Sequence, residues 1–363
     1  MDQTPAAPAP ETLEEAEAIL AAADPAATYR LISALARPEH GSLLQPLPYD
    51  ASISYHDPTC VSIEPELKGY ETVHVYARAA YPDFDKVLLS AMEDPMIDHL
   101  LGDLHHRVFE EGGNVALVTN HGQIHDIALV LAALVMVLCE DDRRYGVLGE
   151  RLTLEELAPR SNVLVSRMVA TRQVFDLPAV SILQTMCRIF LSVPQTATRR
   201  RAKLDPTLVR AWNLVMRAQL DRRLEDGGQI LAMAASGSQD ISLAANLATR
   251  VRSTWRQRRG EDPGPGKTLH LQPLYDGTIR LMLNCGNVLP MAISIDQHHP
   301  TCGIGAITRV REPDDCHRVM DWIAAAHERS TGVPTIYHWH EDALLTQVRD
   351  ALRGGRGPAP EPS

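Results

Sequence analysis

The chain has 363 residues, 45% of them apolar, and a formal net charge of -11 at pH 7. That length and apolar share suit a sizeable core in two modest domains or in one large α/β unit with an appendage. The acidic balance counts against a general nucleic-acid binder, which carries a basic footprint, and six scattered cysteines without a C-x-x-C pair count against a disulfide framework or a zinc ribbon.

Residues 1–10, rich in Ala and Pro, read as a disordered tail without a basic or apolar leader, and 351–363 read as a second tail. The longest apolar run, Ile127 to Cys139, is too short to span a bilayer, so the expectation is a soluble, cytoplasmic protein. Residues 11–95 form a mainly helical N-terminal region, with helical spacing from Glu14 to Ala36 broken at Asp24-Pro25 and a further helix from Pro82–Phe84 toward Met92. Residues 96–350 form the larger domain. It opens with a helix from Met96 to Glu111, stopped by Gly112-Gly113. Val115 to Thr119 then reads as a buried strand, Asn120 to Asp126 as a polar turn, and Ile127 onward as a helix.

The alternation continues down the chain. Asn162 to Val165 reads as a strand, Met186 to Val193 as a strand or a buried helix, Asp205 to Glu225 as a long amphipathic helix ended by Gly227-Gly228, and Gln229 to Ala234 and Val288 to Ile295 as strands. This order predicts an α/β fold, with a mixed or mostly parallel sheet flanked by helices and a smaller helical N-terminal domain.

The polar turn holds the most informative chemistry. His121 and Asp126 lie five positions apart just after a buried strand, and active sites of open α/β sheets gather at strand C-terminal ends. A carboxylate folded back on an imidazole fixes its tautomer and stabilises the imidazolium. The opposite ring nitrogen can then take a proton from a substrate hydroxyl, with no Ser or Cys nucleophile. Two other readings of the same residues stay open: turn-capping Asn and Asp beside an ordinary His, and a metal held by His121 and His125, for which no third ligand is evident.

Elsewhere, the arginines from Arg250 to Arg259 around Trp255 form either a solvated helix face or a receiver of phosphates, an acidic carrier protein or an anionic membrane surface. Gly264 to Thr268 reads as a loop, since Glu261 stands where a phosphate loop has its first glycine. His56 to Cys60 and His298 to Cys302 are similar Pro turns with a remote metal-site alternative. His338 to Asp342 is expected at a helix N-cap with exposed histidines.

The stretch Asn114 to His121 followed by Asp126 resembles the H-x4-D block of the glycerolipid acyltransferase superfamily, above all the soluble plastid-type glycerol-3-phosphate acyltransferases. The resemblance covers about 80 to 350 and is carried further, in the family's order, by Val165–Val169, Ile189–Val193, Leu224–Leu231, Ala235–Asp240 and Leu289–Ser294. It implies transfer of a fatty acyl group from acyl-CoA or acyl-carrier protein, with no other cofactor and no metal, and with His121 as general base and Asp126 orienting it. Backbone amides around Ser236 and Gly237 would serve the oxyanion, small residues permitting close approach.

The chain departs from the pattern where the family holds its acceptor's phosphate. Arg, Asp and Arg are replaced by Gln239, Asp240 and Ile241, and the family's basic stretch falls at uncharged Pro194-Gln195-Thr196. Arg199, Arg200 and Arg201 lie just downstream as substitutes for phosphate contact. The acceptor is therefore either glycerol-3-phosphate or a relative, or an alcohol without phosphate. A silent lipid- or carrier-binding protein is the third reading, and transient membrane contact by an enzyme handling apolar products is left open.

Overall fold

The computed structural model describes residues 10–24, 27, 62–63, 97–121, 158–166, 188–192, 205–235, 241–243, 268–294 and 301–340. Among them the helices are α1 (Leu13–Ala22), α2 (Ile97–His105), α3 (Pro206–Glu225), α4 (Asp276–Cys285) and α5 (Pro313–Thr331). The strands are β1 (Ser62–Ile63), β2 (Val115–Thr119), β3 (Ser161–Ser166), β4 (Arg188–Ser192), β5 (Ile230–Ala234), β6 (Ile241–Leu243), β7 (Thr268–Leu271), β8 (Asn287–Ser294), β9 (Thr301–Ile304), β10 (Thr308–Arg309) and β11 (Thr335–Tyr337). The class is α/β, with a mixed, mostly parallel sheet flanked by helices.

Two compact units divide the chain, 1–80 with 152–231 and 81–151 with 232–363, so β5 gives its first two residues to one and its last three to the other. In the first unit the strand order is β1-β4-β3-β5, with β3 and β4 parallel and β1 antiparallel to β4. The expected strand-or-helix segment around 186–193 is thus a strand. α3 begins where sequence places it, because Asp205 accepts a hydrogen bond from the Thr207 amide at 2.8 Å and Pro206 fills the first helical position. Its buried face, including Val209, Trp212 and Leu220, packs on α1 and β4. α1 answers with Ala16 and Leu20 and is held at its start by a capping box between Thr12 and Glu15. The N-terminal region also supplies a strand, β1, which the helical reading of 11–95 did not contain. The helix expected near 82–92 and the one from Ile127 lie outside the described residues.

In the second unit the strand order is β5-β2-β8-β10, with β9 also on β8; β2 and β8 are parallel, and β9 and β10 run antiparallel to β8. α4 packs on β2 and β8, and α5 on β8 and β9. A separate three-stranded sheet has the order β11-β7-β6. The helix expected over 96–111 is α2 for its first part and then a π-helical turn, His106–Glu110, which ends at Gly112 with φ +67. Only glycine adopts that backbone without strain, so the Gly-Gly stop acts as the sequence indicates.

Among the described glycines tested with an added Cβ, Gly305 sits in the tightest packing. Its amide donates to the Pro290 carbonyl at 2.8 Å. A Cβ added there would lie 2.6 Å from Pro290 Cγ and 2.9 Å from the Trp322 ring. Neither neighbour is a flexible side-chain end, so Gly305→Ala is expected to cost about 1–3 kcal/mol, as overpacked sites do. A urea midpoint equal to the parent's would refute that packing.

Candidate active site

β2 is buried throughout and delivers two buried polar residues, Asn120 at 1% and His121 at 4% exposure. Its register with β8 sets Thr119 opposite Met291. The parallel pairing brings the C-terminal ends of both strands to one edge, the edge at which α/β sheets gather chemistry. β5 reaches the same place, since the Ala235 amide donates to the Thr119 carbonyl at 3.1 Å.

The end of β2 is held by a side chain. Asn120 Nδ2 donates to the Ile293 carbonyl at 2.9 Å, and Asn120 Oδ1 accepts from the Ile293 amide at 2.8 Å. The Thr119 hydroxyl adds a bond to the Asn120 carbonyl at 3.1 Å. His121 therefore follows a backbone fixed on both sides and sits out of bulk water. The sequence places Asn120 in the polar turn beside His121 and offers turn-capping as one role for it. Its two-point contact depends on a residue 173 positions away, and no local signal announces it.

Of the residues expected to form the site, His121 is placed at this edge. Ala235, one residue before Ser236 in the chain, is hydrogen-bonded to the strand that bears it. Asp126, Ser236, Gly237, Gln239, Arg199, Arg200 and Arg201 lie outside the described residues, as do His125, Arg250 to Arg259 and His298. Ile241 is the first residue of β6.

Compared with family models and with curated protein sequences, the chain matches none.

A second group of ionisable side chains lies in the same unit. His270 Nδ1 on β7 and His338 Nε2 just after β11 are 2.8 Å apart, with their rings stacked at 5.1 Å. The Tyr337 hydroxyl accepts from the Leu274 amide at 3.3 Å and has its proton to give to His317 Nδ1, 2.6 Å away on α5. His317 also stacks on Trp339. Thr335 Oγ1 donates to the Val333 carbonyl at 2.8 Å, so His327 Nδ1, 2.9 Å from that oxygen, is the donor to it.

Burial governs the charges of this group. It pushes His270 down to about 4, with the neighbouring His338 adding to the effect, and it pushes His327 down to about 4. His317 and His338 are lowered for the same reason, and the Cys316 thiol is raised to about 11. His338 is thus buried, at 4% exposure, which corrects the expectation of exposed histidines there; His340 is exposed. The cause is the β7 partner, 68 positions away. Among the described residues no three His, Cys, Asp or Glu side chains are grouped to hold a metal ion, and no helix is long and apolar enough to cross a membrane.

Proposed function

We propose that the chain is an acyltransferase that moves a fatty acyl group from acyl-CoA or acyl-carrier protein to the hydroxyl of glycerol-3-phosphate or a related acceptor. The observation that carries the reading is the placement of His121. It is buried, at the C-terminal edge of a parallel strand, on a backbone fixed by Asn120. The resemblance of Asn114 to Asp126 to the H-x4-D block supports the same role.

In this chemistry the His121 imidazole takes the acceptor's hydroxyl proton while Asp126 steadies the imidazolium. The oxygen attacks the thioester carbonyl. The tetrahedral intermediate, its oxyanion met by amides near Ser236 and Gly237, collapses with cleavage of the C–S bond. The proton passes from His121 to the departing thiolate. A base shielded from bulk water keeps hydrolysis of the thioester from competing with attack by the acceptor hydroxyl.

Gln239 and Ile241 favour a second reading, the same reaction on an acceptor without phosphate. An amide and an aliphatic stand where two cations would hold the anion, and Ile241 opens strand β6.

Thiol release from palmitoyl-CoA, with and without glycerol-3-phosphate, tests the proposal on the full chain. Release is expected to require an acceptor and to fall roughly a hundredfold or more in His121→Ala, the range for loss of a general base. Acceptor-dependent release that survives His121→Ala removes the assignment. Release with glycerol or a monoacylglycerol, but not with glycerol-3-phosphate, moves the reading to the second acceptor class. Absence of transfer to any of them, from palmitoyl-CoA and from palmitoyl-acyl-carrier protein alike, removes the acyltransferase reading and favours a silent binding protein.

A further inference from the structure

We infer that Asn120 is a positioning residue for His121, acting by closing β2 with its own carboxamide; the catalytic half of this inference rests on the function proposed above. The register of β2 on β8 runs from Ala116 opposite Val288 to Thr119 opposite Met291. Two residues further on it would set His121 opposite Ile293. In a continued parallel ladder, the Ile293 amide and carbonyl would be taken by backbone groups on either side of His121. Instead the Asn120 side chain takes both, at 2.8 and 2.9 Å. The ladder stops at Thr119, two pairs short of Ile293, with both Ile293 backbone groups still bonded, and the backbone of His121 is left out of the ladder.

The chemistry of the contact selects the residue type. The site needs one donor and one acceptor in one plane, a short reach, and no charge, because both Asn120 and Ile293 are buried. Asparagine meets all of these. Leucine has the same branching but offers neither bond. An ionised aspartate offers two acceptors and faces the Ile293 carbonyl with a negative oxygen. A protonated aspartic acid offers a donor and an acceptor again. Asn120→Asp should therefore be switchable by pH, through a carboxyl whose ionisation burial and the facing carbonyl both oppose.

The test compares the parent chain, Asn120→Leu and Asn120→Asp in two ways. One is acyl transfer from palmitoyl-CoA. The other is the ring-nitrogen spectrum of His121 in the 15N-labelled full chain, assigned with His121→Gln. We expect kcat to fall roughly tenfold or more in Asn120→Leu, from lost orientation, with KM for the acyl donor little changed. The His121 nitrogens should move from a single-tautomer pattern to an averaged one. Asn120→Asp should resemble Asn120→Leu at pH 8 and approach the parent, as a ratio to it, at pH 6, whereas Asn120→Leu should not recover. If Asn120→Leu does not fold, the two pH values compare one folded Asn120→Asp sample with itself.

A folded Asn120 variant with parent kcat and a single-tautomer His121 at both pH values overturns the inference. The ring spectrum decides the positioning claim even if no acyl transfer is detected or if transfer survives His121→Ala. Failure of the positioning claim and failure of the functional reading are therefore seen separately.

Discussion

Acidification from pH 7 to pH 4 is expected to remove several kcal/mol of folding free energy through His270 and His327, about 3 kcal/mol of it from His327 and less from His270, whose surroundings screen its charge more. Both are held down to about 4 by burial, against 6.5 for an ordinary imidazole. Between those two values the unfolded chain binds the protons that the folded chain refuses. Stability therefore rises with pH across the window, is complete above about 6.5, and is lost progressively as pH falls toward 4. His317 and His338 are lowered by burial too and add in the same direction.

The groups around the cluster set how far this goes. Asp314 and Asp321 favour the charged form of His317, and His340 opposes it. The exposed His106–Glu110 pair runs the other way: His106 is raised by its carboxylate partner, so its contribution is full below 6.5 and is lost as pH rises. Urea unfolding at pH 7, 6, 5 and 4 reads the slope directly. His327→Leu isolates one group, since Thr335 retains its bond to Val333. The variant should show a shallower fall than the parent between pH 6.5 and 4. Equal slopes would mean that His327 takes up its proton without cost.

The second large effect belongs to Phe190. Among the described residues it is the most bulky of the fully buried side chains, at 1% exposure. It sits in β4 opposite Leu164 of β3 and Ser62 of β1, on a strand that packs against α3. Phe190→Ala would leave a void that two strands and a helix cannot close without breaking their registers, and the expected loss is about 3–5 kcal/mol. Phe190→Leu keeps most of the volume and is expected to cost less than half of that. Denaturant unfolding followed by tryptophan fluorescence, to which Trp212 buried in α3 contributes, measures both. A loss under about 1 kcal/mol for Phe190→Ala would contradict a well-packed core at this point.

Much of the fold could be read from the chain because its elements carry local signals. Val115 to Thr119 is a short apolar run between a glycine pair and a polar turn, and it is β2. Asp205-Pro206 before a long periodic segment is the start of α3, and Gly227-Gly228 its end, both with positive φ. Elements without such signals were not anticipated. β7, β10 and β11 have two to four residues, too few to display a period. α5 does have the marks of a helix: Pro313 in the first turn, Asp314 and Asp315 beside it, and Gly332 after the end. Its buried face, though, includes His317 and His327, which interrupt an apolar stripe when read as polar. The site divides the same way. His121 follows from its neighbours in sequence, whereas the grip of Asn120 on Ile293 and the pairing of His270 with His338 join positions far apart in the chain.

A strand closed by one carboxamide has a consequence for how such a chain can change over generations. The two positions that meet at the end of β2 carry unequal constraints. Position 293 contributes only backbone groups to the contact, so its side chain can be replaced without removing either bond. Position 120 has no such freedom, because both bonds are made by its side chain.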